Sequence, residues 1–197
     1  TKSNYDREKF DELFSFNDEA KNFYKNNLLK LKEGEQIRSY LKERGISEEI
    51  SKEFELGLSL EGWDNLVKHF ESKKIEAKES SKLFKIAKNE RLYDVFRNRL
   101  IFPIASRRKK IVGFGGRVLD DADQPKYLNT PESEVFKKSR ELYGLPNVLE
   151  RNSRPKQILV VEGYMDVLAC FSFDLPFAVA TLGIATNKFH FCLLYTS

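Results

Sequence analysis

Between Asp18 and Leu31 the apolar residues Ala20, Phe23, Tyr24, Leu28 and Leu31 recur at helical spacing, which predicts a helix with Asn17 or Asp18 as its N-cap. A second helix is expected in "GEQIRSYLKERG", where Ile37, Tyr40 and Leu41 share a face and Gly45 marks the stop. Ser47 opens a short third one. "FELGLS" reads as a brief strand, "GWDNLVKHF" as a helix and the Lys-rich stretch from Ser72 to Ala87 as a surface helix. The first half should therefore be mostly α.

The period changes at Arg99. "RLIFPIA" and "KIVGFGGRV" are β-branched and aromatic runs joined by the polar "SRRKK", the pattern of a hairpin. "DDADQPKYLNTP" is dense in turn formers, and "SEVFKKSRELYG" returns to helical spacing with Ser133 as a cap. The connector "PNVLERNSRP" then leads to "QILVVEG", "YMDVLACFSF" and "FAVATLG". Strand, helix, strand is the simplest parallel βαβ unit. The expected class is α+β / α/β, with a mixed part over 1–152, a boundary near Asn152, and a βαβ unit over 153–197.

Composition narrows the options. A chain of 197 residues, 41% of them hydrophobic, can bury a real core. No run approaches the length of a membrane span, and "TKSNYDREKF" resembles neither a signal nor a transit peptide, so a cytoplasmic protein without a membrane partner is expected. Cys170, Cys192, His69 and His190 lack zinc-site spacing; Cys170 is expected as a buried small hydrophobe outside any disulfide. Charge is uneven. From Arg91 to Arg117 eight basic residues face one acid, Asp94, giving +7; with +4 for the whole chain, −3 is left for the remainder. That stretch is a candidate for a polyanion.

The other candidate chemistry is carboxylate. Ligands of parallel sheets bind beyond the carboxyl ends of strands, where Glu162 stands, with Gly163 allowing a sharp turn. Asp166 falls in the first turn of the helix. Two converging acids suit Mg²⁺ or Mn²⁺. The same pair also fits a plain strand end and an acid favoured by the helix dipole, and spacing alone leaves both open.

"VVEGYMDV" resembles the opening of the Toprim domain of bacterial DNA primases. "YLKERGIS", "GWDN", "RNRLIFPI", "VGFGGRV", "PKYLNTPES" and "ELYGL" resemble that family's segments in the same order, from about Tyr40 to Thr186. The resemblance implies an RNA polymerase domain whose mixed α/β N-terminal part precedes a Toprim fold. Its reaction would be metal-dependent nucleotidyl transfer with Mg²⁺ or Mn²⁺, joining ribonucleoside triphosphates into an RNA primer on a single-stranded DNA template, beside a replicative helicase bound through a missing C-terminal region. Glu162 would act near the metals as ligand or proton acceptor, with Asp166 supporting it. Arg44, Arg97, Arg99, Arg117, Lys126 and Lys138 match basic positions of the template and nucleotide groove, where guanidinium groups grip phosphate. The two glycines before Arg117 suggest a close backbone approach. Tyr127 suits either base stacking or packing beneath its loop. Arg107 to Lys110 are expected as a solvated turn, and Trp63 as an anchor at the start of a helix.

The pattern departs from the family in one respect: no Asp-x-Asp follows Glu162, and Asp121-Ala122-Asp123 precedes it. The chain opens without a methionine or the family's zinc module, and "HFCLLYTS" resembles no family segment. These features suggest a fragment with both ends missing, a foreign tail from about His190 and no polymerase activity on its own. Rival expectations are a non-catalytic single-stranded nucleic-acid binding module and the primase part of a primase-helicase; topoisomerases and nucleases of the Toprim group fit less well, because "PKYLNTPES" speaks against them.

Overall fold

A computed structural model describes residues 2–76, 81–88, 90–119 and 124–195. In chain order the elements are α1 (Lys2–Lys30), α2 (Glu33–Glu43), α3 (Glu48–Glu53), β1 (Gly57–Ser59), α4 (Asn65–Ser72), β2 (Phe84–Ile86), β3 (Leu92–Asp94), β4 (Arg99–Ala105), β5 (Ile111–Val118), β6 (Tyr127–Asn129), α5 (Leu145–Arg151), β7 (Leu159–Val161), α6 (Tyr164–Ser172), β8 (Ala178–Ala180) and α7 (Lys188–Tyr195). The class is mixed α and β, as the sequence suggests. No helix among the described residues is long and apolar enough to cross a membrane.

The hairpin expected from Arg99 onward is the centre: β4 and β5 pair antiparallel inside a sheet of order β1-β4-β5-β6. Alternation along these strands sends Leu100, Phe102 and Ile104 into one apolar cluster and Ile101 and Phe114 into another, so the sheet is covered on both faces. Over the first face lie α2, α3, α5, α6 and β8; over the second, α4, the β2–β3 hairpin and the middle of α1.

Four local expectations are corrected. The first helix starts far upstream of Asp18, because Leu13, Phe16, Ala20, Tyr24 and Leu28 form one buried stripe. Asn17 belongs to that stripe and is no cap: its side-chain amide donates to the Ile111 carbonyl at 2.9 Å, as Asn27 does to Leu58 at 3.1 Å. Residues 77–80 of the Lys-rich stretch lie outside the described residues; the described remainder beyond Ser72 is not α-helical. The chain turns at Lys74, with φ +58°, and Leu83 and Phe84, the first residue of β2, are both buried in the second cluster. "SEVFKKSRELYG" forms an extended segment with a 3₁₀ turn at Lys138–Arg140, since Ser133 Oγ accepts from the Val135 and Phe136 N–H groups and Phe136 plunges into the core. The connector before the βαβ unit contains α5.

β7, α6 and β8 form the expected parallel unit, with Leu159 opposite Ala178 and Val161 opposite Ala180. The strand before Glu162 is not buried, however: Leu159 and Val160 are exposed. Apolar packing crosses the position near Asn152, for Phe54 of the first part meets Phe171 of α6 edge-to-face at 4.9 Å. Tyr143 exchanges backbone hydrogen bonds with Ala180 at 2.9 and 3.0 Å. Gly144, at φ +85°, makes that junction possible, because a Cβ there would lie 2.8 Å from Val167 and 3.0 Å from the Ala178 carbonyl.

Candidate nucleic-acid interface

Gly115 and Gly116 are neighbours in β5 and face opposite ways. A Cβ on Gly115 would come within 2.5 Å of the Tyr164 ring; one on Gly116 would come within 2.7 Å of Phe96. The close approach that these glycines allow is made by the protein's own aromatic rings. Tyr164, the first residue of α6, stacks on Phe102 at 4.8 Å, and its hydroxyl donates to Asn129 Oδ1. Asn129 donates in turn to the Leu182 carbonyl at 3.0 Å. These contacts dock the Glu162–Asp166 turn beside β6.

On that face Arg117 is buried at 6% exposure, its guanidinium 5.0 Å from the Tyr40 ring centre. Arg44 lies 5.3 Å from the same ring, so two of the expected cations converge on Tyr40. Arg117 also lies beside the Tyr127 hydroxyl. Burial raises the Tyr127 pKa, Arg117 opposes that rise, and the Asp166 carboxylate adds to it. Arg44, Arg117, Tyr127 and Asp166 thus form one neighbourhood.

Arg99 and Arg97 occupy the opposite face at the same end of the hairpin. Arg99 pairs with Val118 in the β4–β5 ladder, whereas Arg117 pairs with Leu100 and with Tyr127 of β6. Arg99 donates to the Pro125 carbonyl at 2.8 Å. Arg97 lies over Trp63 at 4.4 Å and donates to the Asp94 carbonyl at 2.5 Å. Trp63 is 65% exposed, so it is a surface platform and not the anchor its sequence setting suggests. With Lys85, Tyr93, Arg97, Arg99 and Pro125 it lines an open cavity of about 810 Å³. Lys126 is exposed, between Pro125, whose carbonyl accepts from Arg99, and Tyr127, which neighbours Arg117. Lys138 is held elsewhere: its N–H donates to Glu132 at 3.0 Å and its carbonyl meets His190 Nε2 at 3.2 Å.

Glu162 is exposed directly after β7, and Asp166 Oδ2 accepts from the Gly163 N–H at 3.0 Å. Asp166 thus caps α6, the plainer of its two expected roles. A divalent cation prefers about six oxygen ligands. Two carboxylates, one already engaged, do not complete such a site, and no cluster of three or more His, Cys, Asp or Glu occurs among the described residues. Asp121-Ala122-Asp123 lies outside the described residues. Cys170 is half-buried instead of buried, and both cysteines are unbridged.

The residues missed in sequence are aromatic. Tyr40 and Tyr93 each have a cation four residues on, Arg44 and Arg97, and Tyr40 gains a second, Arg117, only through the fold. Trp63 had one, a turn flanked by Gly62 and Asp64, read the other way.

A basic, aromatic-lined surface beside a carboxylate turn has counterparts among known proteins. The family described as DNA primase catalytic core, N-terminal domain, matches residues 23–149. The chain belongs to this family. It is 46% identical over 183 residues to the DNA primase of Legionella pneumophila, covering 92% of this chain and 31% of that protein. To the Escherichia coli K12 DNA primase it is 39% identical over 195 residues, 98% of this chain and 33% of that one. The chain thus spans about a third of the length of these relatives. The primase catalytic domain solved bound to single-stranded DNA superposes with a TM-score of 0.85 at 39% identity, covering 93% of this chain and 57% of that one. A Pseudomonas aeruginosa DNA primase domain gives 0.85 at 42%, covering 93% and 58%.

Proposed function

We propose that this chain is part of a polymerase that makes short RNA primers on single-stranded DNA. The 3′ hydroxyl of the growing primer attacks the α-phosphate of a ribonucleoside triphosphate, and pyrophosphate leaves. Arg44 and Arg117, preoriented over Tyr40, receive the triphosphate, with Lys126 and Tyr127 at the rim. Trp63, Arg97 and Arg99 receive the template strand on the other face, the indole stacking on a base and the guanidiniums meeting phosphates. Lys138 has a weaker claim, since its backbone is tied to Glu132 and His190.

Mg²⁺ or Mn²⁺, when bound, would stabilise charge on the attacking and leaving oxygens. Glu162 is this chain's contribution to that environment, as ligand or proton acceptor, and Asp166 fixes the turn that presents it. We assign residues 1–152 to the N-terminal part of the catalytic core and 153–197 to the start of the Toprim part. The template, the primer, the nucleotides and a replicative helicase are the partners of this reading, and the bacterial cytoplasm its setting.

The observation that carries the proposal is the docking of Tyr164 against Gly115, which brings the Glu162–Asp166 turn to the Arg117–Tyr127 neighbourhood. Fluorescence anisotropy of labelled single-stranded DNA with this chain tests the binding half: affinity should fall steeply as salt rises. Primer synthesis by a chimera, in which this chain replaces the matching segment of the E. coli relative, tests the catalytic half.

A further inference from the structure

A buried acid beneath Trp63 has no part in the chemistry just described. Asp94 ends β3 and is 2% exposed. Its two carboxylate oxygens accept from different amides in the first turn of α4: Oδ2 from Leu66 at 2.8 Å and Oδ1 from Val67 at 3.1 Å. Asp64, the residue at the N-cap position, makes no side-chain cap of its own. Asp94 therefore caps a helix from a separate strand, supplying negative charge where the helix dipole favours it.

The backbone of the same residue holds the platform. Its N–H donates to the Trp63 carbonyl at 2.7 Å, and its carbonyl accepts from the Arg97 guanidinium, which lies across the indole. One residue thus fixes the turn bearing Trp63, the helix that follows and the cation stacked above it. Burial, reinforced by the Asp64 charge, raises the carboxyl to about 6 although the backbone amides of Asn65, Leu66 and Val67 stabilise its ionised form. A hydroxyl would cap at less electrostatic cost, but it offers the two amides one oxygen in place of two.

We propose that Asp94 is the positioning residue of the Trp63–Arg97 platform, holding the indole and guanidinium in the stacked arrangement that receives a nucleobase of single-stranded DNA. The proposal rests on the reading of the Trp63 cavity as a template surface. It adds the residue that sets the cavity's geometry without touching the ligand.

Trp63 is the chain's single tryptophan, so its fluorescence reports the platform alone. In Asp94→Asn the amide satisfies one helix N–H and turns its own NH₂ toward the other. The turn should loosen, acrylamide quenching of Trp63 without DNA should increase by about half, and the Kd for an oligo-dT strand should rise about fivefold. Ser47→Ala is the control for mere destabilisation, because Ser47 caps α3 by accepting from Ile50 N–H at 3.2 Å, away from the platform. It should lower Tm yet leave quenching and Kd unchanged. Asp94→Ser, keeping one small acceptor, takes the place of Asp94→Asn if the latter does not fold, with the same expected direction. Wild-type quenching and Kd in an Asp94 variant that has lost thermal stability would overturn the proposal. Failure of the template reading looks different: Trp63→Ala would then bind oligo-dT as the wild type does, even while Asp94→Asn altered Trp63 quenching.

Discussion

The two ends of the β4–β5 hairpin are equally basic and built in opposite ways. At the closed end Arg107, Arg108, Lys109 and Lys110 are all exposed, and Lys109 reaches Glu150 at 2.9 Å. At the open end Arg99 and Arg117 are buried, while Arg97, Arg44 and Arg117 lie against aromatic rings. A flexible cation in water is a weak and screened contributor. A guanidinium fixed on a ring and turned toward a cavity has already lost the freedom that binding would otherwise remove. Charge counted along the sequence merges the two ends into a single +7 stretch; only packing separates them.

The largest effect should fall where the open end meets the carboxylates. In the chimera with the E. coli relative, Glu162→Gln should lower primer synthesis by roughly 100-fold or more, because the amide keeps the shape but loses the charge needed to hold a metal or accept a proton. Template affinity should stay within about twofold of wild type, since the template is assigned to Trp63, Arg97 and Arg99 on the opposite face. Gel-based synthesis and anisotropy on one preparation check the pair of outcomes. Robust synthesis would return Glu162 to a polar residue that merely ends a strand.

Next in size is the contrast between the ends themselves. Arg97→Ala and Arg99→Ala, the cations assigned to the template, should each weaken single-stranded DNA binding by about tenfold at low salt and reduce the salt slope by about one. Lys109→Ala should change neither by more than about twofold. Equal losses at all three positions would mean diffuse attraction and dissolve the distinction between the ends.

Gly115→Ala probes what holds the open end together. Its new methyl would meet the Tyr164 ring at 2.5 Å, deep between the sheet and α6, and overpacking there should cost about 1–3 kcal/mol by chemical denaturation. Gly113→Ala, whose Cβ would stand 3.2 Å from Phe136, should cost less. Because Tyr164 adjoins the Glu162–Asp166 turn, the Gly115 change should also depress chimera synthesis, whereas a Gly113 change of similar stability should not.

How much of this was legible depended on whether a residue's partner lay nearby in sequence. The hairpin and the βαβ unit were readable because alternation and strand–helix–strand spacing are local patterns. The upstream half of α1 was missed because Asn17, a buried stripe residue bonded to a strand carbonyl, has the residue type of a cap. The stretch from Ser72 to Ala87 misled through its Lys and Glu content: its described residues bury Leu83 and Phe84 at the entry to β2 by long-range packing that composition does not report. The motif singled out Arg117, which the structure buries against the Tyr40 ring. In sequence Tyr40 reads only as part of an apolar helix face, although Arg44 stands four residues on; its second cation, Arg117, comes to it only once α2 is packed against the end of β5.

The smallest effect belongs to the closed end. The side chains of Lys109 and Glu150 are both 59% exposed, so their ion pair should contribute no more than about 1 kcal/mol in a double-mutant cycle of Lys109→Ala and Glu150→Ala, and less at high salt. Lys109 also sits at φ +59°, in the left-handed region where a Cβ is unfavourable. Lys109→Gly relieves that strain while giving up the ion pair and adding freedom to the unfolded chain, so these contributions largely cancel. Stability should then stay within about 1 kcal/mol of wild type, and single-stranded DNA binding should be indistinguishable from it. A clear fall in DNA affinity for Lys109→Gly at unchanged stability would show that the closed end also engages the template, and the contrast between the two ends would no longer hold.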